Sequence, residues 1–239
     1  MRKKKNPKGL LFTGRMPQSG VTVYYRNGVL VTRTATSKEK RSNTNQQFVQ
    51  RQRMRHSIAL WKALKPCQPM FTNGATNYNG FITLANRLPV VFVPKFWEDC
   101  AALLMPDIPV SEGTLLPIKQ QLGIVDGTPA LITNLKASEW EEPERWLLYT
   151  VEQFEGKTTP MVSFKVREVS MDEFAEVDGC LALVDNDFSN EMKGWALVRM
   201  NGDRCSSQGI VTRCTYYEQF TTEEALQKAA QSYGGLTKE

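Results

Sequence analysis

Histidine is almost missing from this sequence: one residue, His56, in 239. That excludes every site that needs two imidazoles, including the HExxH zinc motif, and leaves at most one imidazole base. Paired cysteines are missing too. The five cysteines, Cys67, Cys100, Cys180, Cys205 and Cys214, form no CxxC spacing and are odd in number, which argues against a disulfide framework and a zinc cluster. No apolar run approaches the roughly 18 residues that span a bilayer. The basic start, Met1 to Lys5, precedes only Gly9-Leu10-Leu11-Phe12, too short for a secretory apolar region, so the sequence predicts no general export and no membrane. GxGxxG, GxxxxGK[ST] and GxSxG are absent. The sequence thus predicts no catalytic residue, no metal and no cofactor, and ranks an enzyme last among the function classes.

Acidic residues are nearly missing from the first quarter. Residues 1–66 hold sixteen Lys and Arg and a single acid, Glu39, a charge of +15, whereas residues 67–239 carry −10. Such a split concerns partners rather than fold. It suits nucleic acid, an anionic surface, or the acidic part of a second copy meeting this one head to tail. The plain alternative is a solvated basic tail. Over the whole chain, 41 % hydrophobic and 23 % charged residues are an ordinary globular balance.

Residues 1–18 read as an arm: Lys3, Lys4, Lys5 and Lys8 lie with Asn6, Pro7 and Gly9 and show no period. Gly20–Tyr25 and Val29–Thr34 then flank Arg26-Asn27-Gly28, and Asn-Gly between alternating strands predicts a type I′ hairpin with Arg26 opposite Val29. Val21, Val23, Tyr25, Leu30, Thr32 and Thr34 share the better packing face. After a polar link, a helix is expected from about Gln46 to Lys65, capped by Thr44 or Asn45 and stopped by Pro66. Met54, Ser57, Ile58, Trp61 and Leu64 make its apolar stripe, widened by Leu60. Arg51, Arg55 and Lys62 share another face, and the polar first turns are expected to project or to meet a polar partner.

Six prolines between 66 and 109 limit the elements there to a short helix at 77–86, a strand at 90–93 and a short helix at 96–104. From about Ser111 the texture changes to strands: 130–133, 146–151, 161–166, 180–184, 195–199 and 210–217, with a second hairpin turn at Asn201-Gly202. Thr221-Thr-Glu-Glu224 is a capping box for a final helix that Gly234-Gly235 stop. The fold class expected is α+β: an N-terminal β-hairpin plus helix, then an antiparallel β-sandwich-like domain with a C-terminal helix. The expected divisions are an arm at 1–18, a hairpin and helical assembly domain at 19–112, and the sandwich-like domain at 113–239.

Four groups are candidates for chemistry. His56 follows Arg53 and Arg55, whose charge is expected to lower its pKa, and reads as a surface or interface residue. Cys180 and Cys214 fall in strands and read as buried structural thiols. Asp185-Asn186-Asp187 with Glu191 lacks calcium-loop spacing and reads as a turn. Glu139, Glu141, Glu142 and Glu144, with Trp140 and Trp146, read as solvated surface rather than a glycosidase pair. What remains is the basic part, with Tyr24, Tyr25, Phe48 and Trp61 interleaved, suited to stacking bases or to the centre of a protein interface. Its interface residues are Lys3, Lys4, Lys5, Lys8, Arg26, Arg33, Arg51, Arg55 and Lys62.

The order of Asn43-Thr44-Asn45-Gln46-Gln47 to Arg51, Ile58-Ala-Leu-Trp-Lys-Ala-Leu64, then Tyr78-Asn79-Gly80-Phe81 resembles uncharacterised proteins of Bacteroidota and their phages. Virion structural proteins of crAss-like phages are the nearest class. The resemblance covers roughly residues 18–90 and carries over no site residue. It implies a structural subunit of a multimeric assembly, a tail, ring, connector or head accessory protein. Such a subunit would be assembled in the host cytoplasm and located in the virion, with copies of itself and other virion subunits as partners. The alternative is a nucleic-acid-binding protein using residues 1–66.

Overall fold

The computed structural model describes residues 14–16, 21–26, 29–34, 44–95, 103–139, 144–155 and 161–236. The chain divides into two compact units, Met1–Ser42 and Asn43–Glu239.

The first unit holds β1 (Gly14–Met16), β2 (Val21–Arg26) and β3 (Val29–Thr34) in one antiparallel sheet in that order. The register Arg26↔Val29, Tyr25↔Leu30 and Val23↔Thr32 is the one a two-residue turn demands. The turn itself, Asn27-Gly28, lies outside the described residues. Val23 is buried while Tyr24, Val29 and Arg33 are exposed, as the alternation requires. Thr32, expected on the packing face, is exposed. Gly14–Met16, expected within the arm, instead pairs with Val21–Val23 as a third strand.

The second unit is built in layers. β5 (Gln120–Val125), β6 (Thr128–Thr133), β9 (Phe174–Val177) and β10 (Cys180–Val184) form an antiparallel sheet ordered β5-β6-β10-β9. A second sheet runs β12-β11-β7-β8, from β7 (Arg145–Phe154), β8 (Met161–Val169), β11 (Lys193–Asn201) and β12 (Arg204–Cys205). The short β14 (Val211–Thr212) pairs with the start of β11. Between the sheets lie Leu131, Leu181 and Leu183 from one side and Trp146, Leu148, Trp195 and Leu197 from the other. The opposite face of the second sheet, with Tyr149, Val151, Phe164, Ala196 and Val198, packs on helices. Covered on both faces, β11 reads Gly-Trp-Ala-Leu-Val without alternation, because no position from 194 to 198 meets water.

The helical layer is α1 (Asn45–Leu64) and α2 (Asn77–Ala85), which contribute Leu60, Leu64, Phe81 and Ala85 to that core. Thr44 caps α1 by accepting from Gln47 N, and Thr76 caps α2 by accepting from Asn79 N. The expected boundary at 112/113 is therefore not where the chain divides: the helices share their core with the strands, and the division falls at 42/43.

The buried stripe of α1 is rotated from the one expected. It runs Phe48, Gln52, His56, Ser57, Leu60, Leu64, whereas Met54 is exposed and Ile58 and Trp61 are half-buried. The polar N-terminal half does not project. Gln52 Oε1 accepts from Val93 N (3.3 Å), and His56 Nε2 meets Leu103 O at 2.9 Å. Phe48 packs against α3 (Glu223–Ser232), through Leu226, Ala229 and Ala230. Thr222 caps α3 and Gly235 N donates back to Ala230 O at its end.

Residues 90–93 form no strand; Val91 and Phe92 are buried in irregular chain. Most of the helix expected at 96–104 lies outside the described residues. The run 210–217 is cut to β14 and a 3-10 turn at Tyr216–Phe220. The strand list omitted β5 and β9, although each joins its neighbour through an Asp-Gly turn with both residues at positive φ, Asp126-Gly127 and Asp178-Gly179.

Candidate interaction site

The groups read as chemically inert are held by structure. His56 is buried rather than at a surface, and its pKa is lowered by burial, not by its arginine neighbours. Cys205 and Cys214 are buried and Cys67 half-buried, and burial pushes all three thiols up, away from a reactive thiolate. Cys180 is half-buried, and Cys100 lies outside the described residues. Asp185 accepts from Asp187 N (2.9 Å) and Asp187 pairs with Lys193 (2.6 Å), so the acidic loop is a capped turn. Glu144 and Trp146 are not solvated as expected. Glu144 is buried and accepts from Arg199 Nε at 2.5 Å, and the Arg199 guanidinium lies 5.8 Å from the Trp146 ring. Among the described residues no group of His, Cys, Asp and Glu is placed to hold a metal.

The basic residues separate. Lys3, Lys4, Lys5 and Lys8 lie outside the described residues. Arg26 ends β2, opposite Val29. Arg33 is exposed on β3. On α1, Lys62 is exposed, Arg51 Nη2 donates to Gln47 Oε1 (3.4 Å), and the Arg55 guanidinium stacks 4.4 Å over the Tyr233 ring. Arg55 thus ties α1 to the end of α3 by a cation–π contact, which the sequence reading did not foresee.

A groove of about 470 Å³ opens elsewhere in the second unit, between the end of α2 and a two-stranded ribbon. The ribbon pairs β4 (Pro109–Ser111) with β13 (Gln208–Gly209). Its walls include Leu84, Leu88 and Pro109, and its polar groups Arg87, Asp107 and Glu112. The frame is rigid. Asp107 N donates to Ile210 O (3.0 Å), and Ser111 Oγ donates to Ser206 O (2.7 Å). The Ser207 hydroxyl bonds both backbone groups of Gly113 at 3.2 Å. Gly209 packs closely against the backbone of residue 107, where a Cβ would lie 3.0 Å from Asp107 Cα. Asp107 has φ +62°, a conformation that Asn and Asp tolerate best among residues with a side chain.

Within this frame the serines are engaged by backbone and the charges are not. The Glu112 main chain is tied to Met70 and Thr72, but its Oε2 is buried with no hydrogen-bond partner among the described residues. Among the described residues, Arg87, Asp107 and Glu112 make no ion pair. The groove combines an apolar wall, one cation and two carboxylates. Sequence reasoning marked the proline-rich stretch but not these residues, since the ribbon joins positions almost a hundred apart. No protein-family model matches the chain, and no curated protein or solved structure matches it either.

Proposed function

We propose that the chain is a structural subunit of a multimeric assembly, a virion subunit of the phage class it resembles, docking through its basic N-terminal part. One observation carries this reading: the first unit is a separate three-stranded sheet of 42 residues with no disulfide among the described residues. Chains that short seldom bury enough apolar surface to stand alone. The unit carries eleven Lys and Arg against one acid, while residues 43–239 carry nineteen against twenty-four. A sheet that needs a surface, with charge opposite to the rest of its own chain, suits association between copies.

The test is native mass spectrometry and light scattering of the full chain across salt concentrations. A defined multimer that loosens as salt rises is expected, and Arg33→Glu with Lys62→Glu should weaken it. A monomer at all concentrations overturns the reading. Nucleic acid is the second reading, favoured by the same positive charge. It predicts a monomer that binds DNA with an affinity falling steeply with salt, untouched in its oligomeric state by the two substitutions.

A further inference from the structure

Because the buried stripe of α1 is rotated, a second apolar stripe is left facing out. Met54, Ile58, Trp61 and Lys65 are spaced four, three and four residues apart and so lie on one face of the helix. Met54 is 41 % exposed, and Ile58 and Trp61 are half-buried. Tyr78 of α2, 39 % exposed, meets the Trp61 ring edge to face at 5.7 Å and carries the apolar surface onto the second helix. Lys62 and Lys65, both exposed, border it. Residues 43–66 hold five Lys and Arg and no acid, whereas residues 67–239 hold fourteen against twenty-four Asp and Glu. A basic, partly apolar face in an otherwise acidic unit fits an acidic surface with apolar side chains of its own.

The same unit presents such a surface. Residues 216–224 include Glu218, Glu223 and Glu224, all exposed, and no Lys or Arg. Among the described residues none of these three makes an ion pair. Tyr216 beside them is 44 % exposed. The patch is firmly held. Phe92 N donates to Phe220 O at 2.8 Å, Thr222 caps α3, and Leu226, Ala229 and Ala230 turn inward. A surface ordered beforehand loses little freedom on binding. The other acid-rich stretch, 171–178, is a poorer match: Glu173 is already paired with Arg167 (2.5 Å), and its aromatic side chain, Phe174, packs against the core between the sheets.

We propose that the face of Met54, Ile58, Trp61 and Tyr78, bordered by Lys62 and Lys65, receives Tyr216, Glu218, Glu223 and Glu224 of a second copy of the chain. The two surfaces differ, so the contact is head to tail and builds a ring or a filament rather than a two-fold pair. The inference rests on the multimer reading above and names the two faces that meet.

The experiment reverses charge on full-length chains. One variant carries Lys62→Glu and Lys65→Glu, the other Glu218→Lys and Glu224→Lys. Each alone should weaken association about tenfold or more in light scattering. Mixed, the two should associate, because each junction then joins opposite charges. A single chain carrying all four substitutions should regain the multimer by itself. Tyr216→Ser removes an exposed side chain without altering charge and should weaken association too, which keeps the test open if a reversal variant unfolds. A wild type that multimerises while the reversal variants and Tyr216→Ser do so equally well overturns the inference and leaves the multimer reading standing. So do reversal variants that dissociate without recovery in the mixture or in the fourfold chain, since the faces then meet something other than each other. Loss of salt-sensitive DNA binding in the Lys62 and Lys65 variant, with its multimer intact, overturns it in favour of a nucleic-acid surface. A monomeric wild type overturns both readings.

Discussion

The two units of this chain answer the same problem, covering a β-sheet, in opposite ways. In residues 43–239 the sheet containing β7 and β11 is covered twice, by a second sheet through Trp146, Trp195 and Leu131 and by α1 and α2 through Leu60, Leu64 and Phe81. In residues 1–42 three strands of three, six and six residues form one sheet, in which Tyr24, Val29, Thr32 and Arg33 are exposed. The difference teaches where the buried core of the chain resides. The larger unit closes its own core. Among the described residues of the smaller one, Val23 is the buried apolar side chain, beside strand pairing and a strong positive charge.

The largest effect expected from breaking this contrast is Trp195→Ala. The indole is fully buried against Phe188, ring centres 5.1 Å apart, and its loss should cost about 3–5 kcal/mol in urea unfolding. A loss below about 1 kcal/mol would deny that the two sheets share this core. Next, Arg199→Met strands the buried Glu144 carboxylate and should cost about 3 kcal/mol. Stability regained in the double variant with Glu144→Gln would show that the stranded charge was the cause.

Val23→Ala sharpens the comparison in the smaller unit. Removing two buried carbons should cost about 1.5 kcal/mol locally. Hydrogen exchange should quicken in residues 21–34 and stay unchanged in β7 and β11; a uniform change across both units would contradict their independence. A smaller response is expected from pH. The His56 pKa in the fold is lowered by burial from its ordinary 6.5. The unfolded chain then binds the proton more readily, so stability is full above 6.5 and falls as pH drops from there towards the lowered value. His56→Gln should flatten that part of the profile, and an unchanged slope in this variant would assign it elsewhere. Smallest of all is Arg145→Ala, which removes an exposed ion pair with Glu168 and should leave the thermal midpoint nearly unmoved.

The elements legible in the sequence were those with local causes. The β2–β3 register is the one that Asn27-Gly28 between alternating residues predicts, and α3 is bounded by Gly234-Gly235 and by Thr222, one residue after the Thr221 that the capping-box pattern offers. The Asp-Gly turns at 126 and 178 carried the same signal for β5 and β9, which the strand pattern alone obscured. Fold class was legible for the same reason: turn chemistry and period are properties of neighbours in the chain. On α1 the period was right and its phase was wrong. Met54, Ile58 and Trp61 are the more apolar residues, yet Gln52 and His56 are the buried ones, because Val93 and Leu103 offer backbone partners that arrive from elsewhere in the chain.

By itself, then, the sequence determined the strands and helices with caps and turns of their own, and the opposition of charge between the start of the chain and the rest. Only the tertiary structure decided which face of α1 is buried, that Glu144 pairs with Arg199, and that Arg87, Asp107 and Glu112 share one groove. The physical reason is range. A cap or a turn is settled within four residues, whereas a buried polar group is paired only by what long-range packing brings beside it.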